Sequence, residues 1–397
     1  MEYVFSHRIS QLKPSAIREI FKYAADPAVI PLAAGTPAAE ALPVELIRRL
    51  TDQVLVETPD AALLYSQSEG HPPFRAALRD MLRERLDVGR DSDEVLVTSG
   101  AQQCMDLCCK VLCNAGDTVI CEDPSFIGSL NTFRSYRANL VGVPMEEDGI
   151  DLGALEAALK ANPNTRFLYL IPNYQNPTGI TMSLAKRVAC YGLAKKYGVL
   201  ILEDNPYGDL RFAGEALPAI KSMDEDGIVI YAGTFSKILS SGIRVGYLMA
   251  PQGVMGKLVV AKQCTDVHTS MLCQLLCQRF ITQTDLSAHL ENLRGIYKRK
   301  CDIMLDAMDE TFPRSVSYTR PQGGLFVWAT LPGGMDSAEF ATRCVKEKKV
   351  SLVPGTAFSV REGEPSSSFR LNFSTPTDDN VRTGTRKVGE LLKEMGL

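Results

Sequence analysis

The sequence predicts an α/β protein: a large domain on a mostly parallel, doubly wound sheet, and a smaller α+β domain. Three observations carry this. From about residue 94, short β-rich runs alternate with amphipathic helical stretches, which is the pattern of repeated β-α units. VLILEDNPY and IVIYAGTFS are near-continuous apolar runs, as expected of strands covered on both faces. The 397 residues also exceed the roughly 250–300 at which a single core stops growing.

The elements follow in order. EVLVTSG reads as a strand and a turn, AQQCMDLCCKVLC as a helix, TVICEDPS as a second strand and ANLVGVPM as a third. LGALEAALK is helical, RFLYLIPN is a strand, and SLAKRVACYGLAKKYG has apolar residues at helical spacing. The two apolar strands come next. After residue 252 the character changes to a long helical stretch through LSAHLENLRGIYKRKCDIMLDAMDETF, then short strands GGLFVWATL and SFRLNFS among helices. The expected division is an N-terminal segment, 1–45, joining the small domain, a large domain over 46–284, and a small C-terminal domain over 285–397.

Composition narrows the function. Hydrophobic residues make up 45% and charged residues 23%, the balance of a globular protein in water. Lys plus Arg is 43 against 47 for Asp plus Glu, a net charge of −4, so no basic excess exists to hold a nucleic acid. No uninterrupted apolar run reaches the ~18 residues of a membrane helix, which argues against a membrane partner. Glu2, His7 and Arg8 stand where a signal peptide would have its apolar stretch. With eleven cysteines and no export signal, the expectation is a cytoplasmic protein with thiols rather than disulfides. Cys104, Cys108, Cys109 and Cys113 lack the paired C-x-x-C spacing of zinc sites, and Cys104 and Cys108 fall four apart on an apolar helix, so they read as core and no metal is expected. His7, His71, His268 and His289 have no partner at metal spacing and are assigned no chemistry.

The chemistry lies on loops that follow strands, where open α/β sheets place their ligands. In AGTFSKILSSGIRVGY, Lys237 follows a strand and the hydroxyls of Thr234 and Ser236, with Arg244 seven residues later. A lysine so placed suits a Schiff base beside a phosphate, its amine attacking an aldehyde while the hydroxyls and Arg244 bind the dianion. In LILEDNPYGDL, Asp204 ends a strand and Tyr207 follows three residues on. The carboxylate can pair with a ring nitrogen and the phenol with a ring hydroxyl. YLIPNYQNPTG aims the Asn176 amide into the same place from a tight turn. VTSGAQQ is a strand, a turn and a helix start, so the amides near Ser99, Gly100 and Ala101 form an anion site. EDPSF ends another strand with Phe126, an aromatic able to stack on a flat ring.

Over nearly its whole length, from PSAIREI to the last helix, the chain resembles the pyridoxal-phosphate-dependent class I/II aminotransferases of the aspartate-aminotransferase fold type. YSQSEGHPPFRAALRDML, SGAQQ, EDPSF, PNYQNPTG, EDNPYGDL, GTFSKILSSGIRVGY and FRLNFS match the family's blocks in order, most closely those of the branch with 2-aminoadipate and kynurenine aminotransferases. The resemblance implies pyridoxal 5'-phosphate as cofactor and Lys237 as its Schiff-base lysine and acid/base. It implies Asp204 on the pyridinium nitrogen, Tyr207 and Asn176 on the ring hydroxyl, and Phe126 on the ring face. Thr234, Ser236, Arg244 and the Ser99–Gly100–Ala101 amides would hold the phosphate, with Tyr65 reaching it from the partner in a homodimer. Arg370 would clamp the substrate α-carboxylate, a bidentate task suited to guanidinium, and Gly35 would present backbone to it. Arg18, in the Ser-x-Ile-Arg segment, would pair with a distal substrate carboxylate.

Two departures bear on substrate rather than cofactor. Ala34-Gly35-Thr36-Pro37 stands where the branch has Gly-Gly-x-Pro, and Phe126 where many relatives have Tyr. The expected reaction carries an amino group from an L-amino acid to a 2-oxo acid such as 2-oxoglutarate, with 2-aminoadipate, aromatic or other donors. A carbon–sulfur β-lyase would use the same lysine and aspartate and is the alternative. A cofactor-sensing regulator would need a basic DNA-binding domain ahead of the block and is set aside.

Overall fold

The computed structural model describes residues 3–10, 12 and 26–397. A two-residue strand, β1 (Ile30–Pro31), comes first. The large sheet is then built from β2 (Asp93–Thr98), β3 (Thr118–Asp123), β4 (Asn139–Glu146), β5 (Gly149–Ile150), β6 (Thr165–Leu170), β7 (Leu200–Asp204), β8 (Val229–Thr234) and β9 (Gly246–Pro251). Their order in space is β2-β9-β8-β7-β6-β3-β4-β5. The pairs from β8 through β7, β6 and β3 to β4 are parallel. The two edges depart from this, β9 lying antiparallel to both β8 and β2, and β5 antiparallel to β4.

The expected α/β class and its mostly parallel sheet are therefore present, with one strand that the sequence reading had absorbed into the Lys237 motif. That strand, β9, places Gly246 opposite both Thr98 and Thr234. A Cβ there would come within 2.7 Å of the Ala101 amide nitrogen, so only glycine lets the three chains converge.

Local rules account for the helices. Helix Leu184–Tyr197 starts at Ser183, whose side chain accepts from the Lys186 amide, and stops at Gly198 in the left-handed region. Helix Leu286–Thr311 starts at Asp285, whose carboxylate accepts from Ala288 N at 2.9 Å. Helices cover both sheet faces. Cys104, Cys108, Phe133, Phe167, Tyr169 and Leu202 pack in one layer, and Ile120, Leu168, Leu170, Leu155 and Cys190 in the other. Cys104 and Cys108 are thus buried core residues, as their spacing suggested.

The last third adds β10 (Ser317–Tyr318), β11 (Phe326–Thr330), β12 (Val350–Ser351), β13 (Val353–Pro354) and β14 (Ser368–Asn372). Four of them form an antiparallel sheet in the order β10-β11-β14-β13. The N-terminal segment is tied to this part: β1 pairs in parallel with β12, and Asn372 N donates to Leu32 O at 2.8 Å. This pairing carries residues 33–36 to the mouth of the cleft. Among the described residues, no helix is long and apolar enough to cross a membrane.

Candidate active site

From β3 the chain moves outward to β4 and then returns to β6 on the other side of β3. Open α/β sheets bind ligands at such reversals, outside the carboxyl ends of the strands. The loops after β3, β6, β7 and β8 surround a cavity of about 380 Å³, which Gly35, Thr36, Phe326 and Arg370 also line.

Lys237 lies three residues past the end of β8. Its Nζ donates to Gly35 O at 2.8 Å and stands 5.8 Å from the centre of the Tyr207 ring. Burial, then the charges of Arg370 and Arg244, lower its pKa to about 8, with Asp204 opposing. An amine whose pKa is lowered toward physiological pH has a larger neutral, nucleophilic fraction than an ordinary lysine.

Asp204 ends β7 and is buried. Its Oδ2 accepts from Tyr169 Oη at 2.7 Å, and Tyr169 Oη in turn accepts from Ser129 Oγ at 2.8 Å. Its Oδ1 is buried with no hydrogen-bond partner. Burial pushes the carboxyl up to about 7, against the Tyr169 hydroxyl and the charge of Lys237. The carboxylate thus has one oxygen fixed and one waiting for a donor, ideally a cationic one.

Asn176 links two predicted residues. Its Nδ2 donates to Tyr207 Oη at 3.3 Å, and its Oδ1 accepts from Arg370 Nη1 at 2.8 Å. Arg370, on β14, also donates from Nη2 to Ala33 O at 2.8 Å. Its guanidinium carbon lies 4.2 Å from the centre of the Phe326 ring and 4.9 Å from that of Phe358. Both rings lie within cation–π range and favour a charged guanidinium there. Arg370 Nε is buried and unpartnered.

At the other end of the cavity, Thr234 Oγ1 donates to Ser236 Oγ at 3.0 Å. Arg244 Nη1 reaches Ser236 Oγ and Nη2 reaches Ser99 O, each at 3.4 Å, so the guanidinium is only loosely engaged. Gly100 has φ +82°, and a Cβ on it would fall 2.3 Å from Arg244 Nη2, so glycine keeps this concavity open. Phe126 lines the wall from the start of helix Ile127–Ser135.

Two expectations change. The free amides of the Ser99 turn shift along the chain: Ser99 N donates to Gln103 Oε1 at 2.8 Å and Gly100 N to Thr98 O at 2.9 Å. The lining residues at this turn are instead Ala101 and Gln102, at the start of helix Ala101–Leu112, where amides lack intrahelical acceptors. Gly35 lines the cavity, but its carbonyl is taken up by Lys237. Tyr65 is 90% exposed, outside the cavity of its own chain, with its ring edge-on to His268 at 5.8 Å. Arg18 lies outside the described residues.

The sequence reading missed Tyr169, Phe326, Ile171 and Gln102. Tyr169 had a signal: a phenol inside the fully apolar run RFLYLI must find a hydrogen-bond partner. Phe326 had none, since its role depends on β11 lying beside β14.

These residues fit a pyridoxal phosphate. An unpaired buried carboxylate oxygen on Asp204 suits a protonated ring nitrogen, the cleared space beside Arg244 suits a phosphate, and the lowered Lys237 amine suits an aldehyde. The fold and site therefore define a pyridoxal-phosphate enzyme.

The relatives narrow the class. Residues 27–388 match the class I and II aminotransferase family, and the chain belongs to it. It is 38% identical to an aromatic-amino-acid aminotransferase of Thermococcus litoralis, over 99% of this chain and 95% of that one. It is also 38% identical to a 2-aminoadipate transaminase of Thermus thermophilus, over 98% of this chain and 96% of the relative. The kynurenine aminotransferase of Pyrococcus horikoshii, solved with PMP, superposes with a TM-score of 0.95 at 34% identity, covering 98% of this chain and 97% of that one. The protein is a pyridoxal-phosphate-dependent aminotransferase, transferring an amino group from an L-amino acid to a 2-oxo acid.

Proposed function

We propose that the enzyme takes a broad set of donors, 2-aminoadipate and aromatic amino acids among them, and passes the amino group to 2-oxoglutarate. The observation that carries this reading is Arg370. Asn176 and Ala33 fix its guanidinium, its Nε has no partner within the chain, and its side chain lines the same cavity as Lys237. A carboxylate bound there leaves the substrate side chain among Phe126, Ile171 and Phe326, an apolar wall that accepts aromatic and aliphatic groups alike. The activities named for the relatives support the same range.

When bound, the cofactor supplies an aldehyde carbon for the amines and an electron-withdrawing ring. Lys237 Nζ would bond that carbon and would move the proton at the substrate Cα. Asp204 Oδ1 would hold the proton of the ring nitrogen, with Tyr169 fixing the carboxylate from behind. Tyr207 and Asn176 would bond the ring hydroxyl, and Phe126 would cover the ring face. Thr234, Ser236, Arg244 and the amides at Ala101 and Gln102 would hold the phosphate.

Tyr65 completes the phosphate site of a partner subunit in this reading. Its exposure beside Val56, Leu63 and Leu64, all exposed, gives an apolar patch of the kind that subunits bury. The described part of the N-terminal segment joins the small domain, 285–397 form most of it, and the enzyme works in the cytoplasm, which the unpaired cysteines suit.

The test is a donor panel against 2-oxoglutarate. Turnover with 2-aminoadipate, kynurenine, and aromatic and branched amino acids is expected, and activity confined to one of them would defeat the broad range. In the same panel Arg18→Gln is expected to raise KM for dicarboxylic donors about ten- to a hundredfold and leave neutral donors unchanged. Mixing Tyr65→Ala with Lys237→Ala subunits is expected to regenerate activity; none after verified exchange would return Tyr65 to its own chain.

A further inference from the structure

Behind the Ser99 turn lies a partly buried ionic network that the reaction itself does not use. Lys262 is fully buried, and its Nζ donates to Gln103 Oε1 at 2.8 Å, Asp266 Oδ1 at 2.9 Å and Thr269 Oγ1 at 3.0 Å. Asp266 Oδ2 accepts from Ser99 Oγ at 2.7 Å and from Gln103 Nε2 at 2.8 Å. Gln103 Oε1 also takes the Ser99 amide, at 2.8 Å. Both donors of Ser99 are therefore committed to this network. The hydroxyl points away from the cavity that its neighbours Ala101 and Gln102 line.

The turn needs such an anchor. Gly100 sits at φ +82° between the end of β2 and helix Ala101–Leu112, and a glycine hinge is the least constrained link a chain can have. Amides that must converge on one anion bind it well only if their geometry is set beforehand, because ordering them on binding costs affinity. Lys262 is fully buried, whereas the Asp266 side chain is 27% exposed and reaches the Ser99 hydroxyl from the edge of the core. Here the pair is spent on both donors of the one residue that precedes the hinge.

We propose that Lys262 and Asp266, acting through Gln103 and Ser99, are positioning residues that hold the Ser99–Gln102 turn in the shape that receives the cofactor phosphate. This rests on the reading of that turn, with Arg244, as the phosphate site. Without the network the hinge is released, and the cofactor loses affinity through its phosphate alone.

The experiment compares two ligands on the full chain stripped of cofactor: pyridoxal 5'-phosphate, and pyridoxal, which lacks the phosphate. Dissociation constants are measured by absorbance titration, and the phosphorus NMR signal of the bound ester reports on the phosphate surroundings. Asp266→Asn is expected to raise the dissociation constant of the phosphate ester about ten- to a hundredfold, on the scale of a lost charge-assisted bond. Pyridoxal binding is expected to stay within about twofold and the phosphorus signal to shift or broaden, as for any loosened anion site. Ser99→Ala keeps the Lys262–Asp266 pair and removes only the hydroxyl link. It should show the same selectivity at about fivefold, and it decides the matter if Asp266→Asn does not fold. Equal losses for both ligands, or no loss for either, would overturn the positioning role. Arg244→Gln separates the two claims. If it too fails to discriminate between the ligands, the phosphate reading falls; if it discriminates and the network variants do not, only the positioning role falls.

Discussion

The two ends of the large sheet bury charge in opposite ways. At the amino ends of β2 and β8, Lys221 Nζ donates to Asp93 Oδ1 and Asp224 Oδ2, each at 2.8 Å. The remaining acceptors there are filled as well, Asp93 Oδ2 by Arg90 N and Asp224 Oδ1 by Ile228 N. At the carboxyl ends, Lys237 has one carbonyl and no carboxylate, Asp204 Oδ1 has nothing, and Arg370 Nε has nothing. A buried charge whose partners are all inside the chain holds the fold together. Buried polar atoms left without partners mark where a ligand completes the structure.

That contrast can be broken by experiment. The largest effect is expected from Lys237→Ala, which removes both the nucleophile and the proton carrier. Activity should fall by about 10⁴-fold or more, and borohydride reduction followed by peptide mapping should find no cofactor on the chain; a tag elsewhere would displace Lys237 from its role. The wild-type amine adds a pH signature. Its pKa is lowered to about 8, so the neutral form gains below that point as pH rises. Reconstitution of the stripped protein should accelerate about tenfold per pH unit up to about 8 and then level off; a profile flat from pH 6 to 9 would contradict the lowered value.

Asp204→Ala should come next. The ring nitrogen would lose its anionic partner and the electron sink would weaken, costing on the order of a thousandfold in kcat while the cofactor still binds. Near-normal turnover would show the ring held another way. At the opposite end, Lys221→Met should leave two buried carboxylates facing each other and lower stability by about 3–5 kcal/mol in denaturant unfolding, with kcat of the folded fraction unchanged. A loss of kcat without a loss of stability would erase the distinction between the two ends.

Much of this molecule was legible from local pattern. The β-α alternation, the strand ends and the turns that carry Lys237, Asp204 and Asn176 depend on neighbours a few residues away, and periodicity and turn chemistry record these directly. The cofactor followed because each motif falls at the end of a strand, and in a parallel sheet those ends share one edge. Tertiary structure alone decided the rest. It inserted β9 between β2 and β8, turned the Ser99 hydroxyl toward Asp266, and brought the ring centres of Phe326 and Phe358 to 4.2 Å and 4.9 Å from the Arg370 guanidinium carbon. It also brought Gly35 to Lys237 across 202 positions of chain. Contacts at such separation leave no periodic trace. They arise from which faces the packed layers bring together, and every side chain on those faces competes for the same few partners.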